Sequence, residues 1–119
     1  MATMHELSIA HSLVEMAEEA LADVGPVQVE AIHVRIGALA GVVAEALSFG
    51  WGVATQGTRV EGARLHVEDL PVIIDCDGCG QRSTLAGSYP LLCPSCGRLT
   101  NQIVQGRELE LWSIEIADE

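Results

Sequence analysis

The chain has 119 residues, 49% of them hydrophobic, which suits one compact domain with a small appended lobe. Its formal net charge is −11, from 17 acidic residues against 6 basic ones, every one of them arginine. A surface this acidic repels a phosphate backbone and excludes nucleic acid as the expected partner. No apolar stretch approaches the ~20 residues of a membrane span. The first residues hold no basic segment followed by an apolar run, so a cytoplasmic protein is expected.

In chain order, His5 to Ile9 reads as a short first strand, with Ser8 as the N-cap of a following helix. Ile9, Leu13, Met16, Ala20 and Val24 recur at helical spacing, with Glu15, Glu18, Glu19 and Asp23 on the other side. Gly25-Pro26 breaks that helix. Val27 to Ile36 reads as a strand whose alternation slips at Ala31–Ile32, which predicts a bulge there. Gly37 to Gly41 is a turn. Val42 to Thr55 reads as a second helix that offers Val43, Ala46, Leu47, Phe49 and Ala54 to the core. Gly50 and Gly52 weaken its last turns. Ala63, Leu65 and Val67 alternate with Arg64, His66 and Glu68, a half-buried strand. Pro71 to Thr100 reads as a loop-rich hairpin with little core of its own. Leu109, Leu111, Ile114 and Ile116 form a last strand, with a slip at Trp112–Ser113, that returns to the main sheet. The fold class is therefore α+β: a small mixed β-sheet with two helices and an inserted lobe.

The lobe carries the four cysteines, as Cys76-Asp77-Gly78-Cys79 and Cys93-Pro94-Ser95-Cys96, with 13 residues between the pairs. A two-residue gap lets one tight turn aim two thiolates at a common ion, and two such knuckles supply a tetrahedron of sulfur, the geometry of a closed structural zinc site. Gly80 and Gly97 follow the pairs and can adopt positive φ, turning backbone N–H groups toward the sulfurs. Disulfides, a thiol redox pair and rubredoxin-type iron are the competing uses of such cysteines. A filled four-cysteine zinc site has no open position and is structural. Asp75 and Asp77 cancel Arg82 and Arg98 within the lobe, so the acid excess lies elsewhere, chiefly on the first helix and at the C-terminus. It reads as a solvated face before it reads as steering toward a basic partner.

By itself, His5-Glu6 reads as a solvated polar start to a strand. Met4-His5-Glu6-Leu7-Ser8-Ile9-Ala10 is one of several segments that acquire meaning together. Val34-Arg35-Ile36-Gly37 followed by Leu39-Ala40-Gly41-Val42, the two knuckles, and Gln105-Gly106-Arg107-Glu108-Leu109 are the others. In this order they resemble the HypA/HybF family, the nickel metallochaperones of nickel–iron hydrogenase maturation, from Met4 to Ile116.

The resemblance implies a two-metal protein. Structural Zn2+ would sit on Cys76, Cys79, Cys93 and Cys96 in a zinc-binding domain over residues 71–100. Transported Ni2+ would bind in an α/β nickel-binding domain over residues 1–70 and 101–119. Its ligands would be the His5 imidazole and backbone nitrogen around Met4 and Glu6. Imidazole suits Ni(II), and deprotonated backbone nitrogen favours a square-planar site. Glu6 would orient a partner or the coordination shell. The implied partners are a nickel-insertion GTPase and the hydrogenase large-subunit precursor; some members of the family dimerise.

Two departures stand out. Met1-Ala2-Thr3 precede Met4, where the family usually begins, and they lengthen the chelate between a terminal amine and His5. Ala38 replaces a glutamate that many members carry. The alternative is a zinc-ribbon interaction module without nickel transfer. No phosphate-cradling loop or nucleophile motif is present, and an enzyme is not expected. His11, His33 and His66 read as exposed side chains, with His33 and His66 pairing on one face if their strands are neighbours.

Overall fold

The structure, a computed structural model, describes residues 4–87 and 90–117. Its elements are α1 (Met4–Ala20), β1 (Val29–Gly37), α2 (Ala44–Ala54), β2 (Arg64–Leu70), β3 (Ile73–Asp75), β4 (Arg82–Thr84), β5 (Ile103–Gln105) and β6 (Leu109–Ile116). They form two three-stranded sheets, in the orders β2-β1-β6 and β4-β3-β5. By contact, one unit takes in residues 1–34, 42–68 and 110–119, and the other residues 35–41 and 69–109.

In the first unit the chain opens as a helix, not as a strand. α1 already includes His5 to Ile9, so Ser8 lies inside it. The reason is spacing: Glu6, Ile9, Ala10, Leu13, Val14 and Ala17 are all buried and repeat every three or four residues. That face is rotated from the expected one, since Met16, Ala20 and Val24 are not buried. α2 packs against α1 and buries Ala46, Leu47, Gly50, Trp51 and Ala54. Gly50 belongs to the contact because a Cβ there would lie 3.5 Å from the Leu7 backbone. Val43 and Phe49, both expected in the core, are exposed, Phe49 at 69%. Trp51 takes the aromatic position instead and donates its indole N–H to the Ala63 carbonyl at 2.9 Å.

The phase slips hold in the burial. Ala31 and Ile32 are both buried in β1, and Ser113 and Ile114 are both half-buried in β6. α2 lies between β1 and β2 in sequence, a crossover of the kind that joins parallel neighbours. Arg59 closes the end of α1: its guanidinium donates to the carbonyls of Leu21, Val24 and Gly25 at 2.6, 2.8 and 2.6 Å. Those carbonyls belong to the turn that follows Ala20, the last residue of α1.

The second unit is better built than a loop-rich hairpin. β3 pairs antiparallel with β4, Asp75 opposite Arg82, and antiparallel with β5, with an irregularity between Ile73 and Ile74. Val72, Ile74, Cys76 and Cys93 form a small core, with Leu39, Leu85 and Leu91 packed on it. Gly37 and Gly106 make a close backbone crossing. A Cβ at Gly37 would collide with the Gly106 carbonyl, and Gly106 itself has φ 136°. Only glycine fits at either place.

Candidate metal centre

The two cysteine knuckles are built alike. In the first, the Gly80 N–H donates to the Cys76 carbonyl at 2.7 Å and the Cys76 N–H to Gln81 at 2.9 Å. In the second, the Gly97 N–H donates to Cys93 at 2.8 Å and the Cys93 N–H to Arg98 at 2.9 Å. Gly80 and Gly97 have φ of 75° and 77°, the left-handed turn that glycine permits. Cys76 and Cys93 are buried and Cys79 and Cys96 exposed, so each knuckle contributes one inner and one outer sulfur.

The four Sγ atoms lie within 4.8 Å of one another. The closest approaches cross between knuckles: Cys76 to Cys96 and Cys79 to Cys93, both 3.6 Å. A disulfide would require about 2.05 Å. A zinc ion with four sulfurs at about 2.3 Å spaces them about 3.8 Å apart, the edge of the tetrahedron. The donor set therefore fits structural zinc, closed on all four corners.

Backbone N–H groups serve the sulfurs as well. The N–H of Cys96 acts first on Cys93, whose thiol is lowered to about 7 despite burial, with further help from the Ser95 N–H. Cys79 behaves oppositely: the Gln81 N–H favours its thiolate, but burial and the other three sulfurs carry it up to about 11. Cys96, held by the Arg98 N–H but crowded by Cys76, is also raised. Four thiols packed together resist simultaneous ionisation, and a divalent cation removes that conflict.

The surroundings brace the knuckles. The Thr100 hydroxyl donates to the Asp75 carbonyl at 3.0 Å, and the Asp75 N–H to Gln102 at 2.9 Å. The Asp75 carboxylate takes two bonds from the Arg82 guanidinium, at 2.8 and 2.9 Å, which hold its carboxyl below the usual range. The Arg98 side chain lies over Gly78, where a Cβ would meet its Cδ at 2.7 Å.

The N-terminal residues are placed differently from the expectation. His5 is exposed on the first turn of α1. His11 lies six residues further along the same helix, about 240° around it. Glu6 is buried, 2% exposed, and its Oε2 accepts a hydrogen bond from the Val43 N–H at 3.1 Å. Val43 is the N-cap of α2 and has no capping side-chain bond of its own. Glu6 thus occupies an internal helix-to-helix contact within the turn that carries His5. A carboxylate immediately ahead of an amphipathic helical face was the only sequence signal for it, and the strand assignment concealed it.

His33 and His66 do meet. Their rings stack with centroids 4.8 Å apart and planes 14° apart. Among the described residues, the cysteine quartet is the one group of three or more histidine, cysteine or acidic side chains close enough to hold an ion together. No helix is long and apolar enough to cross a membrane.

Fold and site define a class: a small α+β metalloprotein with a four-thiolate lobe set into its chain. Residues 4–116 match the family described as "Hydrogenase/urease nickel incorporation, metallochaperone, hypA". A hydrogenase maturation factor HypA of Roseiflexus sp. (strain RS-1) is 49% identical over 116 residues, covering 98% of this chain and 94% of that one. The namesake of Chloroflexus aurantiacus (strain ATCC 29366 / DSM 635 / J-10-fl) is 49% identical over 112 residues, covering 94% and 98%. The solution structure of the nickel metallochaperone HypA from Helicobacter pylori matches with a TM-score of 0.68 at 23% identity, over 96% of this chain and 98% of that one, and speaks for the fold. The chain belongs to the HypA family of metallochaperones for nickel incorporation.

Proposed function

We propose that this chain binds Ni(II) at the first turn of α1 and hands it, with a nickel-insertion GTPase, to the large-subunit precursor of a nickel–iron hydrogenase. His5 supplies the imidazole, and backbone nitrogens around Met4–Glu6 complete a planar set. Zinc on Cys76, Cys79, Cys93 and Cys96 holds the lobe and is not the cargo, because a closed thiolate cage offers no exit.

The observation that carries this reading is the exposed His5 on the first helical turn, in a chain of this family. The first N–H groups of a helix have no intrahelical acceptor. Their nitrogens can be recruited by a metal without breaking a helical hydrogen bond. Glu6 supports the same reading, since its bond to Val43 holds that turn in place while leaving His5 outside.

The test is nickel and zinc stoichiometry after desalting, which strips readily exchanging ions, of the chain beginning at Met1 and at Met4, each with and without His5→Ala. One firmly held nickel equivalent that His5→Ala removes, with zinc unchanged, is the expected result. Nickel retained in full by the His5→Ala chain refutes the assignment of His5. No nickel beyond zinc in either length points instead to a zinc-stapled interaction module.

A further inference from the structure

The stacked histidine pair has no part in the nickel or zinc reading. His33 lies on β1 and His66 on β2, neighbours in the first sheet. His33 Nε2 stands 3.2 Å from Glu115 Oε1 on β6, so three adjacent strands contribute to one cluster. We propose that His33 and His66, with Glu115 orienting the first, form a second and labile site for a divalent transition-metal ion.

The tautomer argument comes first. An ionised carboxylate only accepts, so the His33 Nε2 carries the hydrogen and the neutral ring keeps its lone pair on Nδ1. A ligating histidine that donates its other N–H to a carboxylate is the usual arrangement around protein-bound metals, and it raises the basicity of the ligating nitrogen. Glu115 gives His33 that arrangement.

His66 supplies the second nitrogen. It is exposed, and among the described residues neither of its ring nitrogens makes a hydrogen bond. Parallel stacked rings do not both aim at one point. A turn of the exposed His66 ring about its Cβ–Cγ bond, which gives up the stack, corrects this, since two imidazoles at about 2.0 Å from one ion need their nitrogens only about 3 Å apart.

The charges nearby do not forbid a cation. Glu68 follows His66 by two residues on β2, and Arg64 precedes it by two; Arg35 follows His33 by two on β1. The chain as a whole carries −11. Two imidazoles and no thiolate select the borderline ions, copper, nickel and zinc, over magnesium or calcium. With only two strong ligands and an exposed ring, such a site exchanges its ion readily.

The proposal does not rest on the N-terminal reading, and the test separates them. Zinc-loaded full-length chain carrying His5→Ala is titrated with Ni(II), and separately with Cu(II), while the imidazole ¹H–¹⁵N resonances are followed. The expected result is one equivalent bound, with the His33 and His66 resonances broadened first. Adding His66→Ala should weaken that binding at least tenfold, and Glu115→Gln about tenfold, with zinc content and circular dichroism unchanged. The idea fails if the His5→Ala chain binds no ion beyond zinc. It fails equally if His66→Ala changes the affinity less than threefold, or if other resonances broaden first.

Discussion

The carboxylate of Glu6 does for α2 what the glutamate of a capping box does for its own helix. It accepts the N–H of the N-cap residue and sets a negative charge at the positive end of the helix dipole. Here the carboxylate comes from another helix, 37 residues away in sequence, so one side chain both caps α2 and locks the first turn of α1. Glu6→Ala leaves a part-buried backbone N–H without its partner, at a cost of about 1–3 kcal/mol. Thermal unfolding followed by circular dichroism should show the melting temperature several degrees lower, with Glu6→Gln intermediate because its amide oxygen still accepts. A Glu6→Ala chain as stable as the parent would show that the bond contributes nothing. His5, one residue earlier, tolerates replacement at no comparable cost because its ring is exposed.

At the scale of elements, α2 shows how burial and hydropathy part company. Phe49 and Trp51 are two residues apart and so about 200° apart around the helix. Only one can face α1 and the sheet, and the structure buries Trp51 at 5% exposure with its indole N–H satisfied. Phe49→Ala should change stability by less than about 0.5 kcal/mol. Trp51→Ala should cost about 3–5 kcal/mol. Paired urea denaturation curves of the two variants decide it, and equal losses would mean that the helix faces are misassigned. Gly50 lies on the same buried face, where a Cβ would make an ordinary 3.5 Å contact with the Leu7 Cα, so the packing there does not require glycine. Arg59 acts at the other end of α1. Its planar fork reaches three carbonyls in a geometry that a lysine's point charge does not reproduce.

Across the whole molecule, stability is expected to be unequal. The lobe's own core is four buried side chains, two of which are the metal-binding Cys76 and Cys93. A cluster that small depends on its ion. A strong chelator should therefore raise amide hydrogen exchange across β3, β4 and β5 by orders of magnitude while α1 and α2 keep their protection. Cys93→Ser, which removes an inner ligand, should reproduce the effect without chelator. Uniform loss of protection through both helices would show instead that the lobe and the α/β unit unfold as one.

The local signals in the chain were sufficient for the cysteine knuckles, the positive-φ glycines after them, most element positions and the two phase slips. These depend on spacing along the backbone, which a linear sequence carries. His5–Ile9 by itself is too short to declare a period, which is why it reads as a strand; its continuation through Ala10, Leu13 and Val14 makes it helical. The choice between Phe49 and Trp51, the inward turn of Glu6 and the small core of the lobe were settled by tertiary structure alone. Each depends on which partner surface arrives from a distant part of the chain: Val43 for Glu6, Ala63 for Trp51, Leu39 for the lobe. The His33–His66 stack is of the same kind. Alternation put both rings on the polar phase of their strands, but the pairing of β1 with β2 brought them 4.8 Å apart.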